Sequence, residues 1–583
     1  MTQRPSICLN MIVRNEAHVI GELFDTIAQY IDTWVIVDTG SDDGTQDVIR
    51  SHMANLGIPG ELHERPWINF GHNRSEALTL AQGRADYLWV MDADDLVTGD
   101  LDLSSLNSDA ALVRVESPGV FYWRMQIFRD GVPFRYDGVV HELPVCDLPY
   151  TTQRLDGEYL IQSRRLGGRN LDPQKYQRDI DLLMAELERN PDDSRSVFYV
   201  ARSYNCLYDW ANARKWYARR AEMGDWEEEV FYSLWRVATG MEVLGEPWPE
   251  VQDAYLRAWE YRPSRAEPLL DIATHYRRAG RYALGYLFAE RAAAIPMPDE
   301  DALFVNPEVY RFRALDEKSV CASWIGKRPE ALELCRYLLA LTDIPEQERK
   351  RITKNRDILS RASLEPAAAY PAEIVSGLTA GTWDAAVTVT VVAGADAELT
   401  ERTLNSFLNC CLDLSAVGRF LIIDHGLAEP ERARLAENYP FAQFSRLPAA
   451  GLTDIRAQVG GRFWLHLGEG WQFFANERYI GRLIEVLEAE TEVFSVGLNL
   501  DDARTFISPP DDADEAEPEL VDYETQQHRL SVSTGALIEG YVLTDTAATG
   551  PAMFDTARAD QHWAGVAGLR TATLNEVLCI AEL

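Results

Sequence analysis

The chain has 583 residues and a mass of 65.8 kDa, with 56 Lys and Arg against 92 Asp and Glu, a formal charge of −36. That length exceeds what one hydrophobic core serves, so about three domains are expected. The acidic balance excludes a broad binder of the phosphate backbone, and the lack of an apolar run of about twenty residues excludes a membrane span.

The charge is uneven: net −12 over residues 1–165, −4 over 166–365 and −20 over 366–583. Three charge regimes fit three domains. The eight cysteines contain no Cys-x-x-Cys pair, and Cys410 and Cys411 are adjacent, poor geometry for a mutual disulfide. Reduced thiols and an N-terminus without a signal-peptide pattern lead to an expected cytoplasmic location.

In chain order, residues 7–13 are apolar and β-rich, and the turn Arg14-Asn15-Glu16 leads into a helical pattern through Tyr30. Residues 34–37 read as a buried strand ending at Asp38. Gly40-Ser41-Asp42-Asp43-Gly44-Thr45 is a turn and helix start, in which Asp43 and Thr45 are expected to cap the helix over 46–53. A helix over 74–82 precedes a strand over 87–91. This β-α-β-α order predicts a mainly parallel, Rossmann-like sheet with ligands at the carboxyl ends of its strands.

Residues 172–362 carry Ala, Arg, Leu, Tyr and Trp at helical spacing. Asn190-Pro191-Asp192-Asp193-Ser194-Arg195 recurs as Arg262-Pro263-Ser264-Arg265, two repeats of a tetratricopeptide-type helical hairpin apart. Residues 363–386 read as a linker. Strand-like runs return at 387–392, 420–423 and 463–467, and residues 509–519 form an acidic, disorder-prone loop. The last third also parallels the first. Leu421-Ile422-Ile423-Asp424-His425-Gly426 matches Val35-Ile36-Val37-Asp38-Thr39-Gly40, and Gly468 and Gly470 stand where the first third has Asp92 and Asp94. The expected domains are 1–170, α/β; 171–362, helical repeats; 363–386, linker; and 387–583, a degenerate, non-catalytic copy of the first.

The sharpest chemical feature is Met91-Asp92-Ala93-Asp94-Asp95 after a buried strand. Two carboxylates at i and i+2 offer hard oxygens to a divalent cation, whose coordination a diphosphate completes. Asn15, Glu16 and Asp38 end the other strands on the same sheet edge, and a carboxylate at Asp38 can accept from a base N–H or a ribose hydroxyl. Arg74, a helix before the acidic strand, is placed to meet a phosphate. Other Asp-x-Asp pairs, at 100/102, 179/181 and 512/514, read as solvated.

These residues resemble a family 2 glycosyltransferase with a GT-A fold. The resemblance rests on Val13-Arg14-Asn15-Glu16, on residues 37–45, on Phe70-Gly71-His72-Asn73-Arg74, on Asp92-Ala93-Asp94-Asp95 and on Tyr136-Asp137-Gly138-Val139-Val140-His141-Glu142. The last segment, with residues 198–204 and 213–217, is similar to a subgroup carrying tetratricopeptide-like repeats. The resemblance covers about 1–340. It implies inverting transfer of a hexose from a nucleotide-diphosphate sugar, first a UDP-sugar, with Mn or Mg as cofactor. Asp38 would read the base, Asp92 the ribose or metal, and Asp94 would be the main metal ligand, with His141 a late metal or phosphate ligand. Inversion needs a carboxylate to take the acceptor's proton, and Glu142, then Asp137, are the candidates. Arg164, Arg165, Arg169 and Lys175 could clamp the diphosphate. Asp42 stands where relatives have Thr.

The helical repeats suit docking of a protein or glycan acceptor, and a homodimer is a further expected partner. The alternatives are a non-catalytic repeat scaffold with a vestigial transferase domain, and a glycosyltransferase acting on DNA bases. The charge of −36 makes the latter unattractive.

Overall fold

The computed structural model describes residues 4–117, 120–301, 303–341, 343–448, 451–499, 541–544, 550–565, 567–574 and 576–581. The chain folds as two compact units, one of Met1–Pro263 with Glu300–Val305, the other of Ser264–Asp299 with Asn306–Leu583. The acidic run 509–519, with the Asp512/Asp514 pair, lies outside the described residues.

The first unit begins with a nine-stranded sheet. Its strands are β1 (Ile7–Val13), β2 (Thr33–Asp38), β3 (Gly60–Glu64), β4 (Tyr87–Val90), β5 (Asp95–Gly99), β6 (Ala110–Ser117), β7 (Val120–Arg129), β10 (Thr152–Arg154) and β11 (Tyr159–Ser163), while β8 (Arg135–Asp137) and β9 (Leu143–Val145) form a separate hairpin. The order is β3-β2-β1-β4-β7-β6-β11-β5, with β10 beside β6. β1, β2, β3 and β4 run parallel, and β1 and β4 are apolar on both faces, as a sheet covered on two sides requires. The rest of the sheet is mixed, with β10 and β11 parallel to β6. β7 runs antiparallel to β4 and β6, and β5 antiparallel to β11. The second half was hidden because its strands carry polar residues on alternate positions, as with Arg114, Glu116, Arg124 and Gln126.

Five helices follow in this unit, Lys175–Arg189, Ser194–Cys206, Trp210–Glu222, Glu227–Val243 and Trp248–Tyr261, each packed on the next. Asp193 caps the second by accepting from Ser196 N at 3.1 Å. Phe198, Tyr217 and Tyr232 meet edge-to-face between helices, so these aromatics are core.

The second unit opens with the helices Glu267–Arg278, Tyr282–Ala293, Ala314–Trp324, Arg328–Ala340 and Glu346–Ala367, again packed in succession. The expected boundary at 362 and the linker 363–386 differ from this arrangement. Residues up to Ala367 belong to the last helix, Ala372–Gly377 form another, and one apolar cluster runs from Tyr286 through Leu338 and Val375 to the strands beyond. Ala-rich composition with two prolines resembles a linker in sequence, yet Ala367 and Val375 bury against a shared core.

Its eight-stranded sheet contains β12 (Val387–Ala393), β13 (Arg419–Asp424), β14 (Ala442–Arg446), β15 (Phe463–His466), β17 (Val493–Gly497), β18 (Tyr541–Thr544), β19 (Ala552–Asp555) and β20 (Arg570–Leu574), with β16 (Trp471–Phe473) paired to β21 (Cys579–Ala581). The order β14-β13-β12-β15-β19-β17-β20-β18 repeats, neighbour for neighbour, the parallel and antiparallel senses of the first sheet.

Helix Arg328–Ala340 is fixed to this α/β part by a buried charge network. Arg336, 3% exposed, donates to Glu477 at 2.7 Å, Glu576 at 2.9 Å and the Asn476 carbonyl at 3.0 Å, and Arg482 bridges the same two glutamates at 3.0 and 2.6 Å. Burial alone would raise the Glu576 carboxyl, but Arg336 and Arg482 outweigh it and hold it at about 2. Because this lies below the ordinary 4.5, its stabilisation is present above pH 4.5 and is lost as pH falls toward 2. Glu576→Ala is therefore expected to lower unfolding stability at pH 7 by about 3 kcal/mol, since it strands a buried cation. Chemical denaturation followed by tryptophan fluorescence measures this, and an unchanged midpoint contradicts it.

Candidate active site

The strand ends of β1, β2 and β4 lie in register. Val13 pairs with Asp38, and Asn10 with Val90, which sets Asn15, Glu16, Asp38, Asp92 and Asp94 along one sheet edge. Asp38 is 1% exposed. Its Oδ1 accepts from Gly40 N and Ser41 N at 2.9 Å each and from Gln46 Nε2 at 3.1 Å. Its Oδ2 is buried without a hydrogen-bond partner. An unsatisfied buried carboxylate oxygen costs about 1–3 kcal/mol, a cost that a ligand N–H or O–H would remove.

Asn15 sits at φ 58, a left-handed conformation that Asn tolerates. Its Oδ1 accepts from Asp42 N at 2.9 Å, so that oxygen is spent on the loop, and the Asp42 side chain is exposed. The N-cap position of the helix Thr45–Leu56 is Gly44, one residue on from Asp43, yet Asp43 Oδ1 accepts from the helix's first amide, Thr45 N, at 3.0 Å. The two also brace the neighbouring turn: Thr45 Oγ1 accepts from Glu16 N at 2.9 Å and Asp43 Oδ2 from Ala17 N at 3.1 Å.

Asp92 lies between two cations. Arg74 Nη2 donates to its Oδ1, and Arg124 Nη1 to its Oδ2 at 3.0 Å. Desolvation would raise its carboxyl, but Arg124 and Arg74 hold it well below the usual range. Arg74, 7% exposed, also donates from Nε to Glu142 Oε1 at 2.6 Å, and its Nη1 is buried without a hydrogen-bond partner. The helix carrying it, Phe70–Ala81, starts at Asn69, whose side chain accepts from His72 N at 2.8 Å. The Gly71 and Ser75 contacts to the main chain of Tyr136 and Gly138 tie this helix to the segment carrying Glu142. Asp137 is exposed and takes no part in the network.

Asp94 Oδ2 accepts from Gly167 N at 2.8 Å, and the Glu16 carboxylate accepts from Gly168 N at 3.1 and 3.2 Å. Burial first, then opposed by Gly168 and reinforced by Asp94, pushes the Glu16 carboxyl up to about 7. A Cβ on Gly168 would stand 2.6 Å from the Asn15 carbonyl oxygen, so only glycine allows this approach. Arg164 Nε donates to the Asp94 carbonyl at 3.1 Å, and its guanidinium pairs with Glu22. Asp95 is fully buried, and neither of its carboxylate oxygens has a hydrogen-bond partner.

His141 lies elsewhere in this surface. Its ring stacks on Tyr199 at 4.0 Å between centroids, and Arg195 donates to its carbonyl at 2.7 Å. Desolvation, then Arg202, Arg169, Arg195 and Lys175, push its imidazole well below the ordinary value. Arg169 is partly engaged by Asp179. Among the described residues, no group of three or more His, Cys, Asp and Glu side chains is placed to hold a metal ion, so Asp92, Asp94 and His141 are not gathered as one ligand set. Sequence reasoning missed Arg124 and the Gly167-Gly168 amides. Neither carries a local motif, and both reach the site only through the antiparallel half of the sheet and the segment after β11.

Substituting Arg74→Met is expected to destabilise the first unit by about 3 kcal/mol or more, because Asp92 and Glu142 lose a shared, buried cation. Denaturant titration at pH 7 tests this, and a loss within about 0.5 kcal/mol, the range of a neutral surface change, contradicts it.

The comparisons with known proteins agree with the strand-end motifs. Residues 8–110 match the model of glycosyl transferase family 2. A TPR repeat-containing protein of Synechococcus elongatus is 29% identical over 147 residues, 24% of this chain and 35% of that protein, so the match spans about a third of the relative's length. Among solved structures, MamA overlaps 32% of this chain and 92% of its own at 12% identity and a TM-score of 0.24. A thermophilic TPR protein of Thermus thermophilus overlaps 31% and 90% at 16% identity and a TM-score of 0.23. No described helix is long and apolar enough to cross a membrane. The segment from β1 to the start of β6 thus matches glycosyl transferase family 2, and helices packed in succession follow it in the same chain.

Proposed function

We propose that this chain is an inverting glycosyltransferase that moves a hexose from a nucleotide-diphosphate donor, first a UDP-sugar, to an acceptor hydroxyl. The observation that carries this reading is the buried, unpartnered Oδ2 of Asp38 beside the acidic end of β4. In this reading that oxygen accepts from a base N–H, while the two amides and Gln46 on Oδ1 fix its direction. Asp92, already neutralised by Arg74 and Arg124, orients the ribose, and the free Nη1 of Arg74 faces the growing negative charge of the leaving diphosphate.

The donor set suits a hard divalent ion. Magnesium-type sites use one or two carboxylates with substrate phosphates rather than a full protein cage, and Asp94, with Asp92 beside it, supplies that number. Such an ion, Mn or Mg, would be held by Asp94 and Asp92 and would supply Lewis-acid neutralisation of charge on the diphosphate. The acceptor oxygen bonds to the anomeric carbon as the bond to the diphosphate oxygen breaks, and the acceptor's proton passes to Glu142, held by Arg74 at 2.6 Å. Asp137, exposed on β8, is the second candidate base. The cations around His141 would receive a phosphate of the donor or an anionic group of the acceptor, and the helical hairpins would dock a protein or glycan acceptor.

A second reading, a non-catalytic binding protein, is favoured by one observation: Asp92 and Asp94 already have protein partners. Turnover separates the two. With a panel of nucleotide sugars and Mn or Mg, the native chain is expected to release nucleoside diphosphate. Asp94→Ala is expected to reduce the rate at least about 100-fold, in line with loss of about 3 kcal/mol of transition-state stabilisation. Release from no donor, or equal release by Asp94→Ala, contradicts the catalytic reading.

A further inference from the structure

The second unit repeats the first unit's strand-end geometry. Ala393 pairs with Asp424 as Val13 does with Asp38, and Thr390 pairs with His466 as Asn10 does with Val90. The main chain follows suit. His425 N donates to the Ala393 carbonyl as Thr39 N does to that of Val13, both at 2.9 Å, and Leu447 N donates to the Asp424 carbonyl as Arg65 N does to that of Asp38. This register sets Gly468 and Gly470 at the positions of Asp92 and Asp94.

Asp424 is 1% exposed, and its Oδ1 accepts from Gly426 N and Leu427 N at 2.9 Å each, the same two-amide grip as Asp38. Its Oδ2 is buried without a hydrogen-bond partner, and the Arg432 guanidinium approaches only to 3.7 Å. A second buried polar atom nearby is also unpartnered: Nε2 of His425. His466 packs at the adjoining strand end, with its Nδ1 2.9 Å from Thr390 Oγ1. The site lies at the carboxyl ends of the neighbouring strands β13, β12 and β15, the edge at which open α/β sheets bind ligands.

We propose that this cleft of the second unit binds a nucleoside whose base carries a ring N–H, such as uridine or guanosine, without catalysing its reaction. Asp424 Oδ2 accepts the ring N–H, and His425 Nε2 makes the second polar contact. Burial and the neighbouring His425 push His466 down to about 4, so it stands at that strand end as a neutral ring at pH 7. With glycine at 468 and 470, no acidic pair is present at those positions to hold a metal diphosphate, so recognition stays with the base and needs no divalent ion.

Isothermal titration calorimetry on the full-length chain in EDTA tests this, using the Asp38→Asn variant to silence the first unit's Asp38. Uridine or guanosine is expected to bind that variant with one-to-one stoichiometry. Cytidine, which lacks a ring N–H, is expected to bind about tenfold more weakly or worse, as loss of a charged hydrogen bond implies. Adding Asp424→Asn is expected to weaken uridine or guanosine binding by a similar factor. Should that variant fail to fold, His425→Ala, which removes an atom with no partner in the fold, is expected to weaken binding about threefold or more. The proposal is overturned if neither nucleoside binds the Asp38→Asn chain, if cytidine binds equally, or if the Asp424 or His425 change leaves affinity unaltered. Loss of turnover with intact nucleoside binding in EDTA would refute the catalytic reading alone.

Discussion

Parallel strands of one sheet end at one edge, so whatever their last residues carry is forced together. In the first unit those residues are acidic: Glu16, Asp38, Asp92 and Asp94, with Asp95 one step on. Carboxylates crowded out of water repel one another and lose hydration. The fold answers with Arg74 and Arg124 on Asp92, the Gly167 and Gly168 amides on Asp94 and Glu16, and three donors on one oxygen of Asp38. The helix Phe70–Ala81, the antiparallel strand β7 and the segment after β11 each bring a donor to this edge. What the fold leaves unanswered, Asp38 Oδ2 and Asp95, is where it falls short of self-sufficiency.

The sequence made the parallel half of the sheet legible because two-sided burial writes an unbroken apolar run, as at 7–13, 34–37 and 87–91. The acidic edge followed from the same runs. The antiparallel half was illegible: β6 and β7 alternate apolar and polar residues, and Arg124 there resembles any solvated arginine until β7 lies against β4. Glu142 could be named from its motif, but its bond to Arg74 spans 68 residues and is set by tertiary packing. The division into units was misread for a related reason. Both Lys175–Arg189 and Arg328–Ala340 read as amphipathic helices, and what attaches the latter to the second unit's α/β part, the buried partners Glu477 and Glu576 and a shared apolar cluster, is tertiary.

The second sheet keeps the frame of the first without its acidic pair. Strand order and senses, the register at β12 and the two-amide grip on Asp424 all persist. The acidic pair of β4 does not, and with Gly468 and Gly470 in its place the arginine pair of the first unit has no counterpart to neutralise. The two sheets differ in their parts: a buried carboxylate gripped by two amides stands in both, and the Asp92–Asp94 pair with Arg74 and Arg124 in the first alone.

The central claim, that the first unit's acidic edge is completed by a nucleoside diphosphate, is tested most directly by calorimetric titration of UDP, GDP and TDP with and without Mn. The account predicts that one of the three binds the native chain with a Mn-dependent gain in affinity, and that Asp38→Asn removes about tenfold or more of it. Equal affinity with and without Mn for all three, or an unchanged affinity in Asp38→Asn, would contradict it.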